Sequence, residues 1–150
     1  MGDRAANIAR AIEVLAGRGV RLVRQSSLYE TEPVDTVAQH WFLNCVVEAG
    51  TDLAPRELMQ ALLEIERSAG RERRVPKGPR TIDIDILLFD AAIVREVKLE
   101  IPHPRMTARR FVLVPLAEIA PLVHHPVFGK TVVELLAETP DRSAVRLWHG

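Results

Sequence analysis

Ile8, Ala11, Ile12 and Leu15 recur at the i, i+3, i+4, i+7 spacing of one helix face, and Gly17 and Gly19 follow them. The pattern predicts an amphipathic helix over residues 4–16. Val20 to Leu28, rich in Val and Ser, reads as a strand. Pro33 breaks both regular structures and makes 31–36 a loop, after which Phe42 to Ala49 is a second strand. Helical spacing returns at Leu58, Leu62, Ile65 and Ala69, with Pro55 suited to the first turn and Gly70 stopping the run. Ala54, just before it, is a poor cap. Residues 70–79 carry no apolar period, and Pro76 and Gly78 mark them as a loop. Farther on, a hairpin is expected from Val94 to Ile101, a helix from Ala108 to Ile119 and a short helix from Val132 to Ala137.

The period changes to two in Pro79–Leu88. Ile82, Ile84 and Ile86 alternate with Asp83 and Asp85, which predicts a strand with the isoleucines on its core face and both carboxylates on the other. Residues two apart on a strand stand about 6.6 Å apart. Asp is depleted in strands and like charges on one face repel, so a folding-only account, a merely solvated polar face, leaves both costs standing. Metal ions held over a polyphosphate account for them. The predicted order is helix, strand, strand, helix, strand and a C-terminal extension, an α+β two-layer sandwich. A split βαβ unit also needs a strand before the first helix, and Gly2-Asp3-Arg4 leaves no residues for one.

Composition narrows the chemistry. At 150 residues, with 47% hydrophobic and 27% charged positions, the chain has the profile of a single soluble globular domain, and no apolar run reaches membrane-spanning length. The N-terminus has no hydrophobic stretch of a secretory signal, so a cytoplasmic address is expected. Cys45, within the apolar run Phe42 to Val47, reads as a structural thiol. His40, His124, His125 and His149 have no metal-ligand spacing and read as surface or structural. Twenty basic residues balance 20 acidic ones, so no global polyanion-binding face is indicated. Locally, however, Arg71, Arg73, Arg74, Lys77 and Arg80 stand against Glu72 alone, which predicts a concentrated anion as ligand. A small nucleic-acid-binding module is the alternative, but it would need interleaved aromatics or a broad basic face.

Several separated motifs occur in one order: Ser-Leu-Tyr-Glu-Thr-Glu-Pro-Val at 27–34, Phe-Leu-Asn at 42–44 and Glu-Arg-Ser-Ala-Gly-Arg-Glu-Arg at 66–73. Gly-Pro-Arg-Thr-Ile-Asp-Ile-Asp-Ile-Leu at 78–87, Ile-Pro-His-Pro-Arg-Met at 101–106 and Arg-Arg-Phe-Val-Leu-Val-Pro-Leu at 109–116 complete the set. Together they resemble the 6-hydroxymethyl-7,8-dihydropterin pyrophosphokinases, folate-pathway enzymes that move a diphosphate from ATP to a pterin alcohol. The resemblance implies a ferredoxin-like α+β fold over 1–150, ATP and the pterin as substrates, and two Mg²⁺ ions held by Asp83 and Asp85. It implies catalytic roles for Arg71, Arg73 and Arg80 beside those aspartates, with Arg71, Arg73, His103 and Arg109 on ATP. On the pterin side it implies Thr31, Pro33 and Val34 as pocket wall, Asn44 as amide partner, and Phe42 and Phe111 as the stacking pair. A pterin is apolar on its faces and polar on its edge, so aromatic walls and one amide suit it independently. Trp41 should point away from Phe42, so only one of them can wall the pocket.

The chain departs from the family pattern in two places. Arg74-Val75-Pro76-Lys77 lacks the aromatic that relatives carry before Gly-Pro-Arg, and the family's first strand and Gly-Ser-Asn turn have no counterpart before Met-Gly-Asp-Arg. Met1 is therefore expected to be an internal methionine of that turn, with the first β-strand missing. An inactive remnant of the fold is the alternative reading. The full-length protein is expected to be a monomer, and protein begun at Met1 to associate through open sheet edges.

Overall fold

A computed structural model of the chain describes residues 3–32, 41–71 and 82–150. It divides into two compact units, Met1–Val23 with Ala49–Ile86, and Arg24–Glu48 with Leu87–Gly150. Its described residues form helices and short antiparallel strands in small sheets, an α+β protein as the pattern predicts.

In the first unit, α1 (Arg4–Ala16) starts at Asp3, whose side chain accepts the Ala6 N–H at 3.2 Å. It packs with α2 (Pro55–Arg71), burying Ala11 and Leu15 of one helix and Ala61, Leu62 and Ile65 of the other. Ala54 has no capping side chain, and Glu57, three positions on, makes only the reverse half of a capping box by accepting the Ala54 N–H at 2.8 Å. Gly19 has φ +85°, which a side chain would strain, and its carbonyl accepts the Thr51 hydroxyl at 2.7 Å.

The predicted strand over 79–88 is corrected here. Ile82 and Ile84 are half-buried, Ile86 is buried, and Asp83 and Asp85 are exposed, so the alternation is real. Yet residues 82–89 pair with no strand among the described residues. The Ile84 N–H donates instead to Glu66 Oε2 at 2.5 Å. A period of two reports which side chains face inward, whereas a strand also needs backbone partners, and those depend on the tertiary fold. Residues 79–81 lie outside the described residues.

Strand β1 (Val20–Gln25) pairs with β4 (Val47–Thr51). Of the two long strands of the sequence reading, Val20–Leu28 stops at Gln25, with a separate strand following at Tyr29, and Phe42–Ala49 is divided into Phe42–Asn44 and β4. Buried Ser26 ends the first: its N–H still donates to the Val46 carbonyl at 2.9 Å, but the return bond from the Val46 N–H goes to the Ser26 hydroxyl at 2.9 Å, which donates to the Ser27 carbonyl at 2.8 Å. Beyond the break, in the second unit, β2 (Tyr29–Thr31) runs between β3 (Phe42–Asn44) and β7 (Val145–Leu147), antiparallel to both. The last of these is three residues long and carries no readable period. A hairpin of β5 (Val94–Glu96) and β6 (Leu99–Ile101) leads through a cis Ile101–Pro102 peptide to a 3-10 turn at Met106–Ala108 and then to α3 (Arg110–Ile119). Helix α4 (Val132–Glu138) packs on α3 and begins with a reciprocal Thr131–Glu134 capping box.

The core of this unit is built on α3, with Met106, Val112, Leu116 and Val132 in one cluster and Leu113, Pro115 and Ile101 almost inaccessible. Val46, Leu87, Leu88 and Phe111 pack against that cluster. Leu113 is 0% exposed, and truncating it leaves a cavity that packed neighbours fill only in part. Leu113→Ala should therefore lower unfolding stability by about 2–5 kcal/mol, measured by urea denaturation. A loss below about 1 kcal/mol would contradict the α3-centred core.

Candidate functional site

The pairing of β2 with β3 brings Thr31, Phe42 and Asn44 together. Thr31 stands opposite Phe42 and Tyr29 opposite Asn44, so all four side chains leave the same face of the sheet. Asn44 Nδ2 donates to Thr31 Oγ1 at 2.8 Å, which fixes the amide plane and uses one of its two N–H donors. Thr31 is buried, Asn44 half-buried, and Phe42 is 56% exposed beside them. Trp41 does point the other way, since the Arg146 guanidinium lies 4.0 Å over its ring and Arg146 is the register partner of Glu30. Pro33 and Val34 lie outside the described residues.

Arg109 and Phe111 come together at the start of α3, the Arg109 guanidinium 5.4 Å from the Phe111 ring centroid. Phe111 is half-buried against the core cluster. His103 is held at both ends of its residue: its N–H donates to the Leu87 carbonyl at 2.9 Å, and its Nδ1 accepts the Arg105 N–H at 3.1 Å. A neutral ring that accepts at Nδ1 carries its proton on Nε2. His103 borders a cleft of about 230 Å³ with Val94, Ile101, Thr107, His125 and Phe128. His125 is structural, as expected: it is buried, its Nδ1 accepts the Val127 and Phe128 N–H groups at 3.2 Å each, and burial lowers its pKa.

In the other unit, Asp83 and Asp85 occupy the exposed side of 82–86 and Arg71 is the last residue of α2. Arg73 and Arg80 lie outside the described residues. Among the described residues no three His, Cys, Asp or Glu side chains converge as a ligand group. Two carboxylates are nonetheless the hard-oxygen set that Mg²⁺ takes when phosphates and water fill its other positions. A cleft of about 500 Å³ in the same unit, lined by Arg18, Leu53, Arg56, Gln60 and Glu64 among others, contains none of the predicted site residues.

The sequence reading missed Glu118. Its carboxylate accepts the Ser27 N–H at 3.0 Å, the Ser27 hydroxyl at 2.9 Å and the Tyr29 hydroxyl at 2.7 Å, tying β2 to α3. Burial, then the bond to Glu118 and its charge, push the Tyr29 hydroxyl up to about 12. Burial works to raise Glu118 itself, but the bonds from Tyr29 and Ser27 outweigh it and hold the carboxyl below its ordinary value. No motif announces a contact between residues about 90 positions apart. Cys45 behaves as the sequence suggests, its thiol pushed by burial up to about 11 and so protonated at neutral pH.

Sequence comparison joins these observations to known proteins. The chain falls among the pyrophosphokinases. More specifically, it belongs to the family described as 7,8-dihydro-6-hydroxymethylpterin-pyrophosphokinase, whose model matches residues 1–121. The 2-amino-4-hydroxy-6-hydroxymethyldihydropteridine pyrophosphokinase of Methylorubrum extorquens is 46% identical over 140 residues, covering 92% of this chain and 87% of that protein. The Bacillus subtilis protein of the same name is 42% identical over 149 residues, covering 99% of this chain and 84% of its own length. That of Aquifex aeolicus is 39% identical over 138 residues, covering 92% and 86%.

Because Glu118 has a lowered folded pKa, the stability it lends is present above the unfolded carboxylate pKa and is lost as pH falls through the folded value. Glu118→Gln should lower the thermal midpoint by about 2 °C at pH 7, and the gap should close below about pH 4. A gap independent of pH in scanning calorimetry would exclude the charged carboxylate as the cause.

Proposed function

We propose that the chain transfers diphosphate from ATP to 6-hydroxymethyl-7,8-dihydropterin, giving AMP and the pterin diphosphate, a step of folate biosynthesis. The observation that carries this reading is the Asn44–Thr31 bond beside Phe42, an oriented amide next to an exposed aromatic ring. The amide offers a donor and an acceptor to the polar edge of a flat heterocycle while aromatic rings cover its faces. Phe111 is the second wall, with Thr31, Pro33 and Val34 completing the pocket.

On the nucleotide side, Asp83 and Asp85 are the residues that would hold two Mg²⁺ ions. Bound there, the metal would supply charge neutralisation at the phosphate oxygens. Arg71, Arg73 and Arg80 stabilise negative charge spreading over the transferred group, and Arg109 contacts phosphate or ribose. His103 contacts ATP phosphate or ribose, its ring oriented by the Arg105 N–H bond to Nδ1. With both substrates aligned, the pterin hydroxyl attacks the β-phosphorus in line, its proton passing to water, the bond from that phosphorus to the α–β bridging oxygen breaks, and AMP leaves. No side chain has to serve as general base. The mixed helices and strands are consistent with the α+β class of a ferredoxin-like two-layer sandwich, with 1–150 acting as one catalytic domain in the cytoplasm, monomeric when full length. Among the described residues no helix is long and apolar enough to cross a membrane.

The test is AMP release from ATP, Mg²⁺ and the hydroxymethyl dihydropterin. Asp83→Ala and Asp85→Ala should each lower kcat by about 10²–10³-fold or more with an unchanged circular dichroism spectrum. No AMP from the wild type removes the enzyme reading, and loss of folding in both variants favours a structural role for the aspartates.

A further inference from the structure

Residues 139–147 reach two parts of the pterin side within one unit, and they lie beyond the span matched by the family model. Strand β7 is the outer partner of β2, with Val145 opposite Thr31 and Leu147 opposite Tyr29. Glu32 extends that pairing by accepting the Ala144 N–H on its Oε1 at 2.6 Å while its own N–H donates to the Ala144 carbonyl at 3.3 Å. A few residues earlier the chain touches α3. Asp141 Oδ2 accepts the Arg110 N–H at 2.7 Å, and Arg110 Nη1 donates to the Ser143 carbonyl at 2.6 Å.

The first turn of a helix leaves N–H groups without internal partners. In α3 the cap position is Arg109, whose side chain makes no capping bond. The acceptor comes from 31 residues downstream instead, and a carboxylate there is also favoured by the helix dipole. Asp141 is itself held in place, its Oδ1 accepting the Ser143 N–H at 2.9 Å and the Ser143 hydroxyl at 2.6 Å. Burial acts to raise its pKa, but the bonds from Ser143 and Arg110 prevail and keep it ionised.

We infer that Asp141 is a positioning residue for the pterin site: it fixes the turn that sets Phe111, while β7, which begins four residues on, fixes the strand that carries Thr31. This rests on the assignment of Phe111 and Thr31 to pterin binding. The residue touches no substrate. It acts by holding the start of α3 in one place, and a displacement of about 1 Å at a substrate wall is enough to weaken binding severely.

The experiment uses the whole chain and measures the pterin KM and kcat together with the pterin Kd by fluorescence titration. Asp141→Ala should raise pterin KM and Kd about tenfold and change kcat less than about twofold. Asp141→Asn keeps an oxygen for the Arg110 N–H and an N–H for the Ser143 hydroxyl but loses the bond from the Ser143 N–H and the charge at the helix start, so its rise should be about threefold. A fall in kcat at unchanged KM and Kd, the mark of a lower fraction of folded enzyme, overturns the inference. Should Asp141→Ala not fold, Asp141→Asn decides alone, an unchanged Kd overturning the inference and a raised Kd with normal kcat supporting it. A wild type that binds pterin and makes AMP beside variants of unchanged Kd sinks only this inference. A wild type that does neither removes the pterin reading, and this inference with it.

Discussion

Helix α3 can hold its side chains in fixed positions only because one of its faces is taken out of water. Val112, Leu113, Pro115, Leu116 and Ile119 are buried along it, and Met106 and Val132 close over the same surface. Each of these side chains contributes about 1.5–3 kcal/mol when fully buried, so α3 cannot turn about its axis without giving up much of the unit's stability. The orientation of Arg109, Arg110, Phe111 and Glu118 follows from that burial. Helix propensity contributes less, since Pro115 and three valine or phenylalanine positions make α3 a poor helix former.

Two polar links then use the orientation. Near the C-terminal end of α3, Glu118 grips Ser27 and Tyr29, and at its N-terminal end Arg110 is gripped by Asp141, whose chain continues into the strand beside β2. Both links end on β2, which carries Thr31, the acceptor for Asn44. The strand is three residues long and a ladder of that length is weak by itself. The charged anchors on either side make it a defined platform for a ligand wall, because hydrogen bonds to ionised groups contribute more than neutral ones.

Much of this was legible in advance, for reasons that vary with the residue. The helices of residues 4–16 and 55–71 cover the apolar spacing that places them, because burial along one face is what makes an amphipathic helix stable, although the second runs through Gly70, expected to stop it, to Arg71. The Asp83 and Asp85 pair was legible as an exposed face, and the burial of the alternating isoleucines agrees. Their secondary structure was misread, because periodicity carries no information about hydrogen-bond partners. The break at Ser26 was missed for a related reason: a serine inside an apolar-rich run gives no sign that its hydroxyl will bond the backbone of a distant residue. Asn44 and Phe42 could be named from their motif, yet which face they share with Thr31 is a matter of register.

By itself, then, the sequence determined the amphipathic elements, the separation of apolar and charged positions, and the residue types able to meet a polyphosphate and a flat heterocycle. Those properties are local, set by the 3.6 and 2 residue periods and by side-chain chemistry. Only the tertiary structure decided that residues 82–89 join no ladder among the described residues, that Glu118 meets Tyr29, and that the cap of α3 comes from Asp141. Each of those depends on an unpaired donor or acceptor finding its partner far along the chain. That choice is made by which buried surfaces bring the groups within about 3 Å, a property no local window of sequence contains.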